Sequence, residues 1–283
     1  MLPYYKSDGN DFVLYRGDCR DIVTNLDGHF DMIFADPPYF LSNGGMSVHS
    51  GRAVCVNKGE WDKSNGHAED SAFNYDWLRI CREKLSDAGT IWVCGTFHNI
   101  FSVASALTEL DYRILNAITW QKTNPPPNLS CRFFTHSTEV VLWARKSKRV
   151  PHCFNYGLMR KIAGNRQMTD VWRMPAIAPW EKTCGRHPTQ KPLALVVRAI
   201  LACTNKGARI LDPFMGSGTT GIAANLVGRL FVGIDSERSY LDMAVRRRLE
   251  LERVRSEWSK KIADLRILDE WVTCKGDGSA KTP

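Results

Sequence analysis

The clearest sign of chemistry is a short string in which the apolar residues 32–35 lead into Asp36, Pro37, Pro38 and Tyr39. The apolar run predicts a buried strand of a parallel sheet, and the prolines end it because each fixes φ and lacks an N–H. A carboxylate, a rigid carbonyl and an aromatic ring then lie at the carboxyl end of a strand, where open α/β sheets bind ligands. These groups suit a planar amine, with Asp36 and a proline carbonyl accepting its hydrogens and Tyr39 stacking on its ring.

A second string favours this chemistry over a plain strand-ending turn. Residues 209–211 (Arg-Ile-Leu) predict another strand, and residues 212–221 follow as Asp-Pro-Phe-Met-Gly-Ser-Gly-Thr-Thr-Gly. Gly216 and Gly218 let the backbone turn tightly and approach a ligand, and the helix predicted after them favours a carboxylate at its N-terminus. A further apolar strand ends in Asp235, about twenty residues after the glycines, which suits a carboxylate that holds two ribose hydroxyls. The spacing indicates a nucleoside cofactor.

Together the two strings resemble the S-adenosylmethionine-dependent amino-group DNA methyltransferases of the circularly permuted β group, in which the catalytic string precedes the cofactor string. Shorter matches lie at residues 17–19 (Gly-Asp-Cys), 116–122 and 187–192 (His-Pro-Thr-Gln-Lys-Pro). The resemblance spans about residues 11–250. Within the group it is nearest to the second adenine methyltransferases of GATC restriction systems.

The resemblance implies methyl transfer from S-adenosyl-L-methionine to N6 of a flipped-out adenine, by direct in-line displacement and without a metal. The catalytic residues that it implies are Asp36, Pro37, Pro38 and Tyr39. It also implies residues around each part of the cofactor: Asp18 and Cys19 at the adenine, Asp235 and Glu237 at the ribose, Gly216, Ser217, Gly218 and Thr219 along the methionine, His187, Thr189 and Lys191 at the carboxylate, and Asp212 and Phe214 at the floor.

Two other functions compete with this interpretation. Methylation of cytosine N4 uses the same geometry on a similar amine, but in this family aspartate at the first position usually accompanies adenine and serine accompanies cytosine. Asp36 therefore favours adenine. The second alternative is a DNA-binding protein that has lost catalysis, which the intact strings at both sites argue against.

A basic segment, residues 122–191, carries thirteen lysines and arginines against three acidic residues, whereas the net charge of the whole chain is +8. A basic block confined to one segment is typical of contact with a phosphate backbone. The predicted partner is DNA, double-stranded or single-stranded. The DNA-binding residues predicted in this segment are Lys122, Asn124, Asn128, Arg132, His136, Arg145, Lys146, Lys148, Arg149, Arg166 and Arg173.

Alternating strand-like and helix-like segments predict an α/β, Rossmann-like methyltransferase fold: a mostly parallel seven-stranded sheet with helices on both faces, circularly permuted, with an inserted target-recognition region. Strands are predicted near residues 12–16, 31–35, 90–94, 114–121, 139–145, 209–212 and 230–234, and helices near 72–86, 98–110, 191–204, 219–227 and 236–259. In the last helix, Leu241, Ala244, Val245 and Leu249 are predicted to be buried and Arg246, Arg247 and Arg248 to form a solvated rim.

The predicted organisation is a catalytic half (1–145) with a flap loop (40–65), a target-recognition region (146–186), a cofactor-binding half (187–262) and a C-terminal tail (263–283). The flap and the target-recognition region lack regular patterning, and a loop of this length is usually functional. Nine cysteines without a Cys-x-x-Cys pair, no signal peptide and no long apolar run predict a cytoplasmic protein with reduced thiols, prokaryotic or phage-borne. A homodimer is expected because related β-group enzymes commonly pair, and a cognate restriction endonuclease can accompany such an enzyme.

Overall fold

The computed structural model describes residues 1–41, 46–49, 52–55, 62–128, 131–185 and 187–263. Its strands are β1 (Tyr5–Lys6), β2 (Phe12–Arg16), β3 (Phe30–Ala35), β4 (Met46–His49), β5 (Arg52–Cys55), β6 (Leu85–Gly95), β7 (Arg113–Lys122), β8 (Thr138–Arg145), β9 (Val171–Met174), β10 (Arg209–Asp212) and β11 (Leu230–Asp235). Its α-helices are α1 (Cys19–Thr24), α2 (His67–Lys84), α3 (Ile100–Glu109), α4 (Tyr156–Ile162), α5 (Leu193–Cys203), α6 (Thr219–Leu226) and α7 (Arg238–Ala263).

Nine of these strands form one sheet in the order β1-β2-β11-β10-β3-β6-β8-β7-β9. In this order, the five strands β2, β11, β10, β3 and β6 pair in parallel with their neighbours. β8 runs antiparallel to both β6 and β7. This mostly parallel sheet with helices on both faces confirms the predicted fold class. The sheet has two more strands than predicted, because the short strands β1 and β9 extend its edges.

The strands that carry the two motifs lie side by side. β3 and β10 pair in parallel, with Ile33 opposite Leu211. Their carboxyl ends therefore share one edge of the sheet, and Asp36 and the loop of residues 212–218 meet there. β11 pairs with the other side of β10, so its last residue, Asp235, reaches the same edge.

Helices cover both faces of the sheet. α5, α6 and α7 pack on one face around a core that includes Phe12, Trp92 and Ile200, and α1, α2 and α3 pack on the other around Ile33 and Trp77. Successive side chains of a strand point to opposite faces, so a strand covered on both sides must be apolar throughout. Of the described helices, none is both long enough and apolar enough to cross a membrane.

Residues 146–186 are more regular than predicted. They contain α4, β9 and a 3-10 helix (Pro179–Lys182), and β9 joins the main sheet beside β7. Trp172 and Met174 of β9 are buried while Val171 and Arg173 are exposed. The expectation of an irregular segment is wrong here because this alternation covers only four residues, which is too short to stand out in the sequence.

Part of the predicted flap loop is also regular. β4 and β5 pair as an antiparallel hairpin. Residues 42–45, 50–51 and 56–61 of the flap lie outside the described residues, as do residues 264–283 of the predicted tail. The mobility of the flap therefore stays a prediction.

The exposure of α7 corrects two predictions. Leu249 is 48% exposed, because the buried stripe of this helix follows the helical period through Leu241, Arg248 and Leu251. Arg247 and Arg248 are only 2% and 5% exposed, so neither belongs to a solvated rim. Buried guanidinium groups need partners, and Arg248 pairs with the Asp11 carboxylate at 3.0 Å.

Candidate active site

A pocket of about 320 Å³ opens at the edge where β2, β3, β10 and β11 end. Ligand pockets in proteins have volumes of about 300–1,000 Å³, so a small organic molecule fits. The lining combines residues from all of the matched strings: Gly17, Asp18, Cys19, Asp36, Pro38, Phe73, His187, Thr189, Pro213, Phe214, Gly216, Asp235, Ser236, Glu237 and Tyr240. Residues predicted at the adenine, the ribose and the carboxylate of the cofactor thus line one cavity.

Other predicted cofactor residues lie in a second layer. Lys191, Asp212, Ser217 and Thr219 line a narrow cavity of about 30 Å³ next to the main pocket, and this cavity shares Asp36 and Gly216 with it. Gly218 lines neither cavity. It adopts φ +75° as the N-cap of α6, where a Cβ would lie 2.7 Å from the Ala244 methyl group, so its role is to let α6 begin.

Two neighbouring side chains hold the Asp36 carboxylate. The Tyr39 hydroxyl donates to Oδ1 at 2.7 Å, and the Lys191 ammonium donates to Oδ2 at 2.6 Å. Asp36 remains 15% exposed and lines the main pocket. An ionised carboxylate offers about four acceptor positions, so Asp36 can accept hydrogens from a ligand amine while it keeps both partners.

Tyr39 makes a contact that the sequence did not predict. Its side chain is 6% exposed, and the Lys191 ammonium lies 5.3 Å from the centre of its ring. Burial and then the charge of Asp36 raise the pKa of the Tyr39 hydroxyl, so it remains a hydrogen-bond donor. The hydroxyl orients Asp36, and stacking of the ring on the target base stays a prediction.

Lys191 also lies elsewhere than predicted, because its ammonium faces Asp36 and not the main pocket. Glu139 Oε2 lies 3.7 Å from the Lys191 ammonium, and Lys122 pairs with Glu139 Oε1 at 2.6 Å. Burial lowers the pKa of Lys191, but the charges of Asp36 and Glu139 outweigh burial and raise it, so the ammonium stays charged. We call these four side chains of alternating charge, Asp36, Lys191, Glu139 and Lys122, the charge chain.

A buried carboxylate fixes the turn that follows the catalytic string. Asp62 is fully buried and accepts the backbone N–H groups of Tyr39 (2.8 Å), Phe40 (2.9 Å) and Leu41 (3.3 Å). Phe40 has φ +58°, a left-handed conformation that is unfavourable for a bulky residue without such support. The sequence shows no sign of this contact, because it joins residues that are far apart in the chain.

The cofactor loop after β10 is rigidly supported. Gly216 has φ +49°, and a Cβ there would lie 2.8 Å from His187 Nε2, so glycine is needed to bring the backbone beside this ring. Behind the loop, Arg247 donates to the Ser217 carbonyl (2.8 Å) and hydroxyl (3.0 Å) and to the Thr219 hydroxyl (2.9 Å). Arg247 of α7 thus holds the loop from behind, through Ser217 and Thr219.

The acidic groups of the loops are partly desolvated. Burial raises the pKa of Asp212 to about 7, although the Thr220 hydroxyl and the Phe214 N–H donate to it. Burial likewise raises the pKa of Asp235 to about 6, against the opposing donation of the Glu237 and Gly216 N–H groups. Each carboxylate is therefore poised to lose its charge near neutral pH.

This shift predicts that cofactor binding weakens in acid. The Asp235 carboxyl becomes protonated as the pH falls through about 6, and a protonated carboxyl accepts fewer hydrogen bonds from ribose hydroxyls. We expect the affinity for S-adenosylmethionine, measured by titration calorimetry, to fall by up to about tenfold per pH unit below that point. Asp235→Asn should bind weakly with no such pH dependence, and a wild-type affinity that stays constant down to about pH 5 would contradict the assignment.

Several residues of the site were not predicted. Phe73 of α2 lines the pocket, with its ring 6.1 Å from that of Phe214, and Tyr240 contacts His187 with ring centres 4.3 Å apart. Tyr240 lies in the first turn of the helix that follows Asp235, so its nearness to Asp235 in the sequence could have identified it as a pocket residue. No spacing signal links α2 to the two strings, so Phe73 could not be found from the sequence.

The predicted DNA-binding residues separate into two groups. β8 runs antiparallel to β6, so Val140 pairs with Gly95 near the pocket and Arg145 pairs with Thr90. Arg145 therefore lies five residues from Val140, or about 17 Å further towards the opposite edge of the sheet. Lys146 lies beyond that point, where it donates to the Leu85 carbonyl at 2.6 Å. Lys148 and Arg149 follow it, and Lys148 pairs with Asp111. This topology argues against contact of these four residues with DNA at the target base.

The other group lies at the pocket edge or close to it. Arg132 and His136 are exposed in the β7–β8 loop, which begins and ends beside Lys122 and Glu139 of the charge chain. Arg173 is exposed opposite Gln121. Two amides have structural bonds there: Asn124 accepts from the Ala176 N–H (3.0 Å) and Asn128 donates to the Phe133 carbonyl (2.5 Å). Arg166 is exposed ahead of β9.

The loops that carry the motifs surround one pocket at the edge of a permuted, mostly parallel sheet. This arrangement defines a Rossmann-like methyltransferase that uses S-adenosylmethionine. The family model described as DNA methylase, of the N6/N4 methyltransferase type, matches residues 30–246. The chain belongs to this family.

Curated relatives agree with this assignment. The chain is 51% identical over 264 residues to the type II methyltransferase M2.MboI of Moraxella bovis. This match covers 93% of this chain and 97% of the relative. It is 52% identical over 252 residues to M2.DpnII of Streptococcus pneumoniae, covering 88% and 93%. The prediction of an adenine-specific DNA methyltransferase related to the second methyltransferases of GATC restriction systems is confirmed.

Solved structures support the fold and the cofactor. The complex of M1.HpyAVI with S-adenosylmethionine has a TM-score of 0.64 and 28% identity, covering 83% of this chain and 98% of that one. The cytosine-N4-specific PvuII DNA methyltransferase has a TM-score of 0.69 at 14% identity, covering 94% and 96%, which shows a common fold. S-Adenosyl-L-methionine is the methyl donor, as predicted.

Proposed function

We propose that Asp36 and the Pro37 carbonyl accept the two hydrogens of adenine N6 and orient its lone pair for methyl transfer. The observation that carries this proposal is the position of Asp36, which lines the same pocket as Gly216 and Asp235 while Tyr39 fixes its orientation. Asn99 Nδ2 donates to the Pro38 carbonyl at 3.5 Å, which holds the turn that presents Pro37.

Asp36 is proposed to act as an acceptor and not as a base, and the charge chain holds it in place. The Lys191 ammonium donates to Asp36 Oδ2 at 2.6 Å, and Glu139 holds Lys191 from the other side. Adenine N6 is a poor nucleophile because its lone pair is delocalised into the ring, so two acceptors help by favouring a more pyramidal nitrogen. In this mechanism N6 loses a proton only after it has gained the methyl group, when it has become acidic.

The pocket fits S-adenosylmethionine in its polar groups and its backbone. The cofactor supplies a methyl group bonded to a positively charged sulfur. Asp235 and Glu237 are proposed to hold the ribose, Asp18 and Cys19 the adenine, and His187, Thr189 and the Gly216 backbone the methionine end; all of them line the pocket. Asp18 also caps α1 by accepting from the Arg20 N–H at 2.8 Å, which fixes its carboxylate at the pocket. Lys191 is not among the residues proposed to hold the cofactor, because Asp36 and Glu139 already bind its ammonium.

We further propose that the enzyme modifies the adenine of GATC sites, acts beside a cognate restriction endonuclease and works in the bacterial cytoplasm. DNA from a host that expresses the chain should then carry N6-methyladenine in GATC when it is sequenced with detection of methylated bases. It should also resist an endonuclease that cuts only unmethylated GATC. Methylated cytosine with unmodified adenine would instead favour the N4 alternative.

We assign residues 146–186 to recognition of the target and the flap, residues 40–65, to closure over the flipped base. Asp62 supports the second assignment, because it joins the end of the flap to the Tyr39 N–H of the catalytic string and to the N–H groups of Phe40 and Leu41, where the flap begins. A movement of the flap on binding DNA would thereby reach the turn that carries Tyr39.

The two groups of basic residues give a direct test of the DNA-binding face. Arg132→Glu combined with Arg173→Glu should weaken DNA binding and reduce its salt dependence by about two phosphate contacts, because both side chains lie at the pocket edge. Lys148→Glu with Arg149→Glu makes the same change of charge at the opposite edge and is the matched control. Fluorescence anisotropy between about 50 and 200 mM salt measures both slopes. Equal slopes for the two variants would show that the DNA-binding face is misplaced.

A homodimer is also proposed. Only part of the basic segment lies at the pocket edge, which leaves few cations in one subunit to hold a whole recognition site. A second subunit can hold DNA while the first methylates it. One chain has a mass of 32.0 kDa. Light scattering at micromolar concentration is expected to give about twice this mass for the protein, with or without DNA. A monomer under both conditions would contradict the proposal.

A further inference from the structure

Four rings from two loops form an exposed aromatic group near the catalytic turn. Phe97 contacts His98 with ring centres 3.7 Å apart and stacks on His136 at 5.0 Å, and Phe133 lies 5.4 Å from His136. Phe97 is 52% exposed and Phe133 59% exposed. We call these four residues the aromatic platform. Large exposed rings in contact with one another are typical of an interaction surface.

Both loops of the platform are tied to the catalytic site. Phe97 and His98 lie in the turn after β6, and Asn99 closes this turn by accepting from the Thr96 N–H (3.0 Å) while it donates to the Pro38 carbonyl (3.5 Å). His136 lies three residues before Glu139 of the charge chain. The platform therefore stands beside the point where the target base must enter.

We propose that the aromatic platform binds an unstacked DNA base next to the flipped adenine, by stacking on its face. This inference rests on the proposed function, because removal of one base from a duplex exposes the faces of its neighbours. Aromatic rings bind such faces without reading sequence, as in proteins that hold single strands. The exposed Arg132 next to Phe133 supplies a positive charge for the adjoining phosphate.

The chemistry of the platform favours a base over a second copy of the chain. Two of its four rings are imidazoles, and a basic side chain adjoins it, whereas the core of a subunit interface is depleted in charge. The platform is also continuous with the pocket edge at which Asp36 lies, through the Asn99–Pro38 contact.

The test uses a double variant that combines Phe97→Ala and Phe133→Ala. It is compared with the single variant Phe101→Ala. Phe101 is 74% exposed on α3 outside the platform, so its loss controls for removal of an exposed ring. The fluorescent base 2-aminopurine, placed beside the target adenine, is quenched while it is stacked and brightens when it is unstacked. We expect it to stay quenched in complexes with the wild type and Phe101→Ala, and to brighten in the complex with the double variant, which should bind DNA roughly tenfold more weakly.

Further readouts separate the possible failures. Affinity for S-adenosylmethionine and kcat at saturating DNA should remain within about twofold of wild type, since Phe97 and Phe133 do not line the described pocket. If the double variant quenches and binds DNA like Phe101→Ala while the wild type methylates adenine, the platform proposal is wrong and the proposed function stands. If the double variant loses only its dimer, with unchanged DNA binding, the platform is a subunit interface and the proposal is also wrong.

Discussion

Replacing Asp36 with alanine is expected to reduce the rate of methyl transfer by at least a hundred- to a thousandfold, roughly the cost of removing one preorganised electrostatic partner. The variant loses the acceptor that orients adenine N6 and the partner of both Tyr39 and Lys191. DNA binding should persist, because it depends on the basic residues of other loops. Single-turnover transfer of a labelled methyl group to DNA measures the rate without interference from product release.

Two controls keep this expectation informative. Thermal unfolding should be measured in parallel, because the buried Lys191 ammonium then loses its ion pair with Asp36 and keeps the weaker contacts with Glu139 at 3.7 Å and the Thr189 carbonyl at 3.4 Å. Asp36→Asn is the milder variant: its amide oxygen still accepts one hydrogen bond, so partial activity would separate hydrogen bonding from charge. Near-normal transfer by a folded Asp36→Ala protein would falsify the assignment of the site.

The two strings allowed the centre of the site to be predicted because their chemistry is local. An apolar strand followed by Asp36 and two prolines fixes where the carboxylate lies, whatever the rest of the chain does. Gly216 is similar, because its φ of +49° is a property of a few neighbouring residues. The structure brings both strings to one pocket, as parallel pairing of β3 and β10 requires.

What could not be predicted depends on strand direction and on contacts between distant residues. The basic segment is continuous in sequence, but the antiparallel β8 carries Arg145 away from the pocket and leaves Glu139 beside it. Charge counting along the chain does not detect this reversal. The support that Asp62 and Arg247 give to the two loops is likewise invisible, since each contact joins a buried polar group to backbone or hydroxyl groups far away in sequence.

The position of Lys191 is the most consequential of these differences. A lysine in a matched string is naturally assigned to the negatively charged end of the cofactor. In the structure it is 7% exposed and ion-paired with Asp36. A single cation shared by two partly buried carboxylates, those of Asp36 and Glu139, links the string at residues 187–192 to the catalytic string through charge.

Replacing Lys191 with methionine is therefore expected to affect both stability and catalysis. Removing one partner of a buried ion pair leaves the other charges uncompensated, which typically costs about 3–5 kcal/mol in the free energy of unfolding. The variant should also transfer methyl groups roughly a hundredfold more slowly, because Asp36 loses the cation that holds its carboxylate in place. Chemical denaturation and single-turnover kinetics measure the two effects.

A matched control distinguishes this role from a purely structural one. Without Lys191, the Asp36 carboxylate keeps the Tyr39 hydroxyl but loses the ammonium on Oδ2, so it is held less firmly for the target amine. Lys122→Met is the control, because it removes the other cation on Glu139 and leaves the Asp36–Lys191 pair intact. Its rate of transfer should resemble that of the wild type. If Lys191→Met and Lys122→Met lose rate equally, Lys191 has no specific influence on Asp36.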